Sequence, residues 1–503
     1  MDFVALAGAI TQILTPWPFL MMFTGTALGI IVGAIPGLTG AMLIALTLPL
    51  TFYMEPFNAV VLLVAMYVGA ISGGLITATL MRMPGTPAAV MTTFDGYPMA
   101  RSGRPGRALG LGITASFVGG LIAWCVLFTV TKPLSVLATR FGPFEYFTLI
   151  MMAMVLIASV SEGSLVKGLI SGLLGMLVSM PGVDPATGMP RLTFDWYMLN
   201  GGLQLLPVLI GTFAVSQIIK DSLDTGALPE RAEMSSKGML MSIRDFIRHG
   251  TNLIRSSFIG TFIGVLPGIG ASIGSVVAYT VSKNVSSEPE KFGKGSEEGI
   301  VASEAANNAT VGGALIPLIA MGIPGSVIDA ILIGALTIHS IQPGPTLFLT
   351  NADIVWAMIA TALMANILMW LLMTSSVKYL SNLIYLPRSF VLPVVMMFCV
   401  IGSYALNNTM FDVWVMLGFG VLGFLLESVK IPLAPFIIGF VLGPIAEENL
   451  SLGLQASNGS FWPIVTQPLS LVFILIALAM LLAPHLKTRL GSVLAGSRQE
   501  PMK

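Results

Sequence analysis

Long runs of residues without charge constrain this chain most strongly. Between residues 3 and 81 the only charged residue is Glu55, and similar runs recur towards the C-terminus. Charged residues make up 10% of the sequence, against roughly 25% in a typical soluble protein. Because backbone groups in lipid must be paired within the segment itself, such runs predict an all-α fold, a polytopic transmembrane helical bundle.

Apolar segments of spanning length predict about 12–15 membrane spans. The predicted spans are 17–34, 38–55, 58–81, 107–134, 144–161, 164–183, 200–220, 255–267, 269–283, 300–322, 354–376, 391–404, 410–427, 431–446 and 464–484. Two further stretches, 84–100 and 324–343, are interrupted by Pro, Gly and polar residues. We expect these two to be re-entrant hairpins.

Lysine and arginine favour the cytoplasmic side of a membrane protein. They cluster at residues 101–107, in the polar segment 221–254, at residues 283–294 and from residue 487 onwards. The segments 184–199 and 447–463 hold a single basic residue, Arg191. The distribution predicts that the 221–254 loop and the C-terminus are cytoplasmic and that the two poorly basic segments face outward.

Two short motifs recur in the second half of the chain. The sequence GAIPGLTGA (Gly33–Ala41) resembles GVLPGIGAS (Gly264–Ser272), and Ser72–Thr86 aligns without gaps on Gly312–Ser326. Seven predicted spans precede the central loop, so the second half enters the membrane inverted. The predicted domains are a first membrane repeat (1–220), a linker loop (221–254), a second, inverted repeat (255–447) and a final segment (448–503). Inverted repeats with broken helices are typical of secondary transporters.

The four Pro-Gly breaks in these motifs are the candidate substrate site. A broken helix exposes backbone dipoles, which lipid does not tolerate but which a polar cavity can use to hold an anion. The alternative is that Pro-Gly pairs only kink packed helices. The candidate substrate-binding residues are Gly37, Thr39, Gly40, Gly85, Thr86, Gly268, Gly270, Ser272, Gly325 and Ser326.

Polar and acidic side chains near the second set of breaks are candidates for ion coupling. Such groups are expensive within a membrane and usually line a transport pathway. The candidates are Glu304, Asn307, Asn308, Thr310 and Asp329. Oxygen ligands there can hold Na⁺, and a carboxylate can carry H⁺; for Glu304, a position at the cytoplasmic interface is equally compatible.

Enzyme signatures are missing from the sequence. Neither an H-E-x-x-H motif nor a G-x-x-x-x-G-K-[ST] loop is present, and the two cysteines have no zinc spacing. Net charge is zero, so charge does not indicate a nucleic-acid partner. We therefore expect no enzyme activity, no metal and no cofactor beyond a coupling ion, Na⁺ or H⁺.

Longer motifs resemble a known family. GAIPGLTGAM, GGLITATLMRMPGTPAAV and SEEGIVASEAANNATVGGALIPLIAMGIPGS are similar to the large membrane (permease) subunit of the tripartite tricarboxylate transporters, and the resemblance covers nearly the whole chain. It implies a bacterial inner-membrane importer of organic acid anions, such as citrate and other di- or tricarboxylates. It also implies two protein partners, a small membrane subunit and a periplasmic solute-binding protein.

Three other functions remain as alternatives. A stand-alone secondary carrier needs no binding protein. A membrane-embedded enzyme acting on lipid carriers requires paired His, Asp or Glu residues, which the sequence does not offer. A channel is expected to place related subunits around one pore rather than an inverted repeat within one chain.

Overall fold

The structure is a computed structural model, and it describes residues 2–35, 37–161, 164–184, 187–223, 237–383 and 388–496. These residues form helices α1 to α21 and one antiparallel pair of short strands. The first ten helices are α1 (Phe3–Ile13), α2 (Pro16–Gly33), α3 (Gly40–Thr51), α4 (Pro56–Met81), α5 (Thr92–Arg101), α6 (Pro105–Ala138), α7 (Pro143–Val160), α8 (Leu165–Val178), α9 (Leu205–Leu209) and α10 (Ser216–Leu223). A π-helix, Ile210–Val215, joins α9 to α10, and the strands are β1 (Gly182–Val183) and β2 (Pro190–Arg191).

The remaining helices follow the central linker. They are α11 (Ile243–Val265), α12 (Gly270–Val285), α13 (Glu297–Met321), α14 (Val327–Ile338), α15 (Leu347–Thr350), α16 (Ala352–Leu383), α17 (Arg388–Asn407), α18 (Met410–Ser428), α19 (Leu433–Ala456), α20 (Pro463–Thr466) and α21 (Pro468–Gly496). Within the described ranges, eight helical segments are long and apolar enough to cross a membrane, and six shorter apolar helices accompany them. The predicted polytopic helical bundle is confirmed, whereas the inverted repeats and re-entrant hairpins stay predictions.

Helix boundaries follow local sequence signals. Proline occupies the first position of α2, α4, α6 and α7, where its missing N–H has no helical partner to lose. Helices α4 and α13 both end in a left-handed residue, Arg82 (φ 58°) and Gly322 (φ 70°). These two residues correspond in the aligned motifs, so the same turn is built once with glycine and once with a side chain that disfavours it.

The described residues divide into two compact units. The larger contains Met1–Thr139 and Leu203–Val429. Its helix α4 is apolar on all sides and buried along nearly its whole length, with α2 and α16 as its main neighbours. Helix α13 packs mainly against α6, α11 and α12. Burial of all faces places these two helices in the interior of the unit rather than against lipid.

The smaller unit contains Arg140–Gly202 and Lys430–Lys503. Within it, α19 packs against α7 and α8, and α21 packs against α7. Arg191 at the end of β2 forms ion pairs with Glu447 of α19 and with Asp184. The predicted domains follow the sequence motifs rather than this division, and they stay a prediction.

Matching glycines bring helix backbones into contact in each half of the larger unit. A Cβ added at Gly33 of α2 would overlap the carbonyl oxygen of Ala70 in α4. A Cβ added at Gly264 of α11 would overlap the carbonyl oxygen of Thr310 in α13. Ala70 and Thr310 correspond when the motif alignment is continued along both helices. The contact between Gly33 and Ala70 therefore recurs at the corresponding positions of α11 and α13.

The predicted linker 221–254 contains the start of α11. Ser242 accepts from the Asp245 N–H, and Asp245 accepts from the Ser242 N–H, so the two residues form a capping box. Arg107 of α6 holds Asp245 through two hydrogen bonds of 2.6 and 2.8 Å and Glu297 through two of 2.9 and 3.1 Å. His249 adds a 3.3 Å contact to Glu297. This charged network ties the first turns of α6, α11 and α13 together.

Candidate functional site

The first break lies between α2 and α3. Gly37 has φ +92°, a conformation that side chains rarely adopt, and a Cβ there would lie 2.6 Å from a carboxylate oxygen of Asp221. Thr39 caps α3 by accepting a 3.2 Å hydrogen bond from the Met42 N–H. A carboxylate of the protein itself therefore already lies against the backbone of this break.

The second break lies between α11 and α12. Gly268 (φ +70°) donates its N–H to the carbonyl oxygen of Pro324, 3.2 Å away. Gly270 (φ +71°) starts α12, and Ser272 is half-buried in the first turn of that helix. The Gly268 N–H is thus paired with Pro324, in the predicted hairpin 324–343, and it is not a free donor.

The glycines of the two hairpin motifs make backbone contacts. A Cβ at Gly85 would overlap the carbonyl oxygen of Gly33, and one at Gly325 would lie 2.7 Å from that of Gly264. These contacts occur at corresponding positions in the two halves. They place the start of each predicted hairpin against the helix end that precedes the break in the same half.

Contacts also cross from one half to the other. Ser275 of α12 donates a 3.0 Å hydrogen bond to the carbonyl oxygen of Ala88, beside the first hairpin start. A Cβ at Gly40 of α3 would lie 3.4 Å from Ile328 of α14, and Ile328 corresponds to Ala88. These contacts join the helix that follows each break to the segment after the Pro-Gly pair in the other half.

The hydroxyls at the two hairpin starts have different surroundings. Ser326 caps α14 by accepting from the Asp329 N–H at 3.3 Å, and its hydroxyl is 3.0 Å from the Tyr67 hydroxyl. Thr86, its counterpart, is 3% exposed, and its hydroxyl has no hydrogen-bond partner among the described residues. A Cβ added at Gly74 of α4 would lie 2.6 Å from this hydroxyl oxygen.

Asn307, Asn308 and Thr310 are all buried in α13. Asn308 donates a 2.7 Å hydrogen bond to the Ser72 hydroxyl, which in turn donates to the Val68 carbonyl. The side-chain carbonyl oxygen of Asn308 has no partner in the described part of the chain, and the Asn307 amide makes no hydrogen bond of ordinary geometry there, although it lies beside the Glu304 carboxylate. Thr310 instead donates to the backbone carbonyl oxygen of Asn307 at 2.6 Å, so its proton is used within its own helix.

The two acidic candidates are fully buried but differ in their partners. Both carboxylate oxygens of Glu304 accept hydrogen bonds, one from Thr92 and one, at 3.0 Å, from Ser116. Asp329 makes no hydrogen bond of ordinary geometry to the residues that the structure describes, although the hydroxyls of Tyr67 and Ser326 lie beside its carboxylate. A buried carboxylate without donors is costly unless it is protonated or meets a cation.

A third buried acid, Asp95 of α5, has a different role. One of its oxygens accepts from the N–H groups of Gly293, Gly295 and Ser296 at 2.7 to 2.9 Å, and the other accepts from the Tyr279 hydroxyl at 2.8 Å. These donors occupy most of its capacity as an acceptor. Asp95 therefore fastens the loop before α13 and has little capacity left for a ligand.

Sequence reasoning missed several members of this cluster. Tyr67 interrupts an apolar run, which was a usable signal for a functional polar group. Thr92 and Ser116 resemble ordinary helix hydroxyls, and Asp221 lies in a charged segment far along the chain. Only the packing of the helices shows that these residues face the candidate site.

A bundle of apolar helices, broken near its centre and holding buried polar groups there, has the architecture of a multi-pass membrane transport protein. The chain belongs to the tripartite tricarboxylate transporter TctA family, whose sequence profile matches residues 19–438. This confirms the family resemblance found in the sequence motifs.

Two relatives come from Agrobacterium vitis. An uncharacterized 52.8 kDa protein in the TAR-I ttuC' 3' region is 34% identical over 483 residues, which cover 95% of this chain and 96% of the relative. An uncharacterized protein in the TAR-II ttuC' 3' region is 33% identical over 214 residues, covering 42% of this chain and 88% of the relative. No solved structure gives a significant match.

Proposed function

We propose that the chain is the permease subunit of a tripartite importer of organic acid anions in the bacterial inner membrane. Its partners are a small membrane subunit and a periplasmic solute-binding protein that delivers the acid. The family match along residues 19–438 supports this role. The C-terminus and the 221–254 loop face the cytoplasm in this proposal, as the distribution of basic residues predicts.

The observation that carries the proposed site is the set of buried polar atoms that make no hydrogen bond of ordinary geometry to the described residues. The Thr86 hydroxyl, the Asn307 amide, the Asn308 carbonyl and the Asp329 carboxylate all lie on elements that meet at the four breaks. Leaving a buried polar group unpaired costs about 1–3 kcal/mol. A site with several such groups gains that energy back when a carboxylate and its coupling ion enter.

Ion coupling is assigned to the same region. Oxygens of Asn307 and Asn308 suit Na⁺, whereas Asp329 or Glu304 suits H⁺. Thr310 remains a weaker candidate, because its hydroxyl can offer only a lone pair while it donates to its own helix. No nucleotide-binding loop is present in the sequence, so an ion gradient is the expected source of energy.

Reconstitution tests the tripartite assignment. Proteoliposomes should contain the chain alone, the chain with its small membrane subunit, or both with the solute-binding protein, and radiolabelled citrate, succinate, malate and tartrate should be offered in turn. We expect uptake of at least one acid only from the complete set, and only with an inward Na⁺ or H⁺ gradient. Full uptake by the chain alone would instead establish a stand-alone carrier.

A further inference from the structure

A cavity lies in the larger unit where the ends of α6, α11, α12 and α13 meet. Its volume is about 380 Å³, within the range of roughly 300–1,000 Å³ that small-molecule sites occupy. Its lining includes the residue before α6, the second turn of α11, the residue after α12 and the first turn of α13. None of the candidate substrate or ion residues lines it, so the cavity is separate from the proposed transport site.

The cavity lies at the depth of the lipid headgroups. Among its lining residues, Arg104, Ser286 and Glu298 are each within three residues of the end of a predicted membrane span, and Arg248 is seven residues before one. At 1.5 Å per helical residue, these separations are roughly 3–10 Å. The headgroup layer on each side of the hydrocarbon has a similar thickness.

Three cations of the lining have no carboxylate partner. Arg104, Arg248 and Lys294 are exposed, and no ion pair joins any of them to the residues that the structure describes. They come from three separate segments, the start of α6, helix α11 and the loop before α13. Packing of these segments therefore brings three unpaired positive charges to one cavity.

The carboxylates of the lining do not neutralise these cations. Glu288 is already paired with Lys291 at 2.5 Å, and Glu297 is paired with Arg107 at 2.9 Å. Glu298 is the other acid of the lining, and it forms no ion pair within the described part of the chain. Three unpaired cations against one unpaired acid leave the cavity positive, which favours an anionic ligand.

One buried nitrogen of the lining also needs a partner. His249 is 1% exposed, and its Nε2 lies 3.3 Å from a carboxylate oxygen of Glu297. Its Nδ1 has no hydrogen-bond partner among the described residues. A protonated imidazole has a donor on each ring nitrogen. An anion in the cavity would therefore accept from a group that its surroundings leave unpaired.

Helix α11 connects the cavity to the membrane. Beyond the cavity it enters the predicted span 255–267, where Ile254, Phe258 and Phe262 are 53%, 55% and 66% exposed. These side chains are four residues apart and so lie on one side of the helix. A soluble anion gains nothing from this apolar surface, whereas the acyl chains of a lipid can cover it.

We propose that the cavity binds the phosphate headgroup of an anionic phospholipid, with the acyl chains along the exposed apolar side of α11. Arg104, Arg248 and Lys294 supply the positive charge, as basic pockets between membrane helices do for anionic headgroups. The assignment to the cytoplasmic leaflet rests on the orientation in the proposed function. The binding itself depends on neither the transported acid nor the coupling ion.

Lipid binding is measured on the full-length chain, purified in detergent with the subunits that accompany it. Phosphatidylglycerol, phosphatidylcholine and inorganic phosphate are added in turn, and the melting temperature and native mass spectra are recorded. Phosphatidylglycerol should raise the melting temperature by a few degrees more than phosphatidylcholine, and inorganic phosphate should leave it unchanged. The mass spectra give the number of bound lipids and their affinity.

Matched substitutions locate the site. Arg248→Gln and Lys294→Gln should each weaken phosphatidylglycerol binding about fivefold, the effect expected for one basic residue at an anionic headgroup. Both side chains are exposed and unpaired, so the variants should fold normally. Arg244→Gln is the control, because Arg244 is exposed one turn earlier on α11 and does not line the cavity. It should change binding less than about twofold.

Three results would overturn the proposal. Equal losses in Arg244→Gln and Arg248→Gln would show a general effect of surface charge, and equal stabilisation by phosphatidylcholine would show that the headgroup charge is not recognised. Stabilisation by inorganic phosphate to the same extent as by phosphatidylglycerol would identify a site for a soluble anion. Failure of the proposed function would appear separately, as absent uptake by the complete reconstituted transporter.

Discussion

Asp95 and Asp329 are both fully buried carboxylates in the two segments predicted as hairpins, yet their surroundings differ. Asp95 accepts four hydrogen bonds, three of them from backbone N–H groups, whereas Asp329 accepts none of ordinary geometry from the described residues and has only the Tyr67 and Ser326 hydroxyls beside it. Burial of an acid therefore does not by itself indicate function. The number of donors that meet the carboxylate separates a structural anchor from a group whose charge must be balanced by a proton or an ion.

Removing Asp95 should have the largest effect. Asp95→Ala leaves three backbone N–H groups and the Tyr279 hydroxyl without their acceptor, which we expect to cost about 3 kcal/mol or more of stability. The protein should accumulate poorly in the membrane, as measured by fluorescence-detected gel filtration of a tagged chain. Asp329→Ala is the matched control, and normal accumulation of the Asp95 variant would contradict its anchoring role.

Asp329→Asn should affect transport and leave folding intact. The amide keeps the shape of the side chain but can neither carry a proton nor balance a cation, so uptake by the reconstituted transporter should fall at least about tenfold. Accumulation and melting temperature should match the wild type. Uptake at the normal rate would show that the Asp329 carboxylate has no role in transport and that Glu304 is the better candidate for ion coupling.

Asn308→Ala extends the comparison from carboxylates to an amide with an unpaired oxygen. If the Asn308 carbonyl helps to hold Na⁺, the Na⁺ concentration for half-maximal uptake should rise about fivefold to tenfold, as expected for one lost ligand. Ser72→Ala controls for the hydrogen bond that the same side chain donates. If uptake is independent of Na⁺ and depends on the pH gradient instead, Asn308 does not bind a coupling Na⁺.

The Arg107 network contains carboxylates of a third kind. Asp245 and Glu297 are paired with a cation near the starts of their helices. His249 and Arg107 lower the pKa of Glu297 to about 2, and Arg107 lowers the pKa of Asp245 below its ordinary value. A depressed pKa means that the stabilisation is present above the ordinary carboxylate pKa and is lost as pH falls through the folded value. The melting temperature of the wild type should exceed that of Arg107→Gln by a few degrees at pH 7, and this gap should shrink between pH 4.5 and pH 2.

Thr310→Val should have the smallest effect of the series. Its hydroxyl donates within α13 and its methyl group faces Gly274 of α12, so valine keeps the packing and loses one intrahelical hydrogen bond. Uptake should stay within about twofold of wild type. A large loss of Na⁺-dependent uptake would place the Thr310 oxygen among the ion ligands after all.

Much of the architecture could be predicted from local sequence, because uncharged runs, Pro-Gly pairs and the recurring motif are all read within short windows. The four breaks and the hydroxyls at Thr86 and Ser326 were found in this way. The partners of these groups were not, since the Asp221 carboxylate at Gly37 and the Pro324 carbonyl at Gly268 come from remote segments. Hydrogen-bond partners depend on helix packing, which single-sequence patterns do not contain.

The glycine contacts of α2 on α4 and of α11 on α13 have a mechanical consequence. Where one helix backbone touches the next, no flexible side chain lies between them to be compressed or to change rotamer, so each pair resists sliding and tends to move as one body. The residues just beyond, Gly37 and Gly268, have backbone angles open to glycine and closed to most other residues. In any rearrangement that admits a solute from one side and releases it on the other, the largest changes in backbone angles would then occur at Gly37 and Gly268. Each helix pair would move as a rigid body about these two hinges.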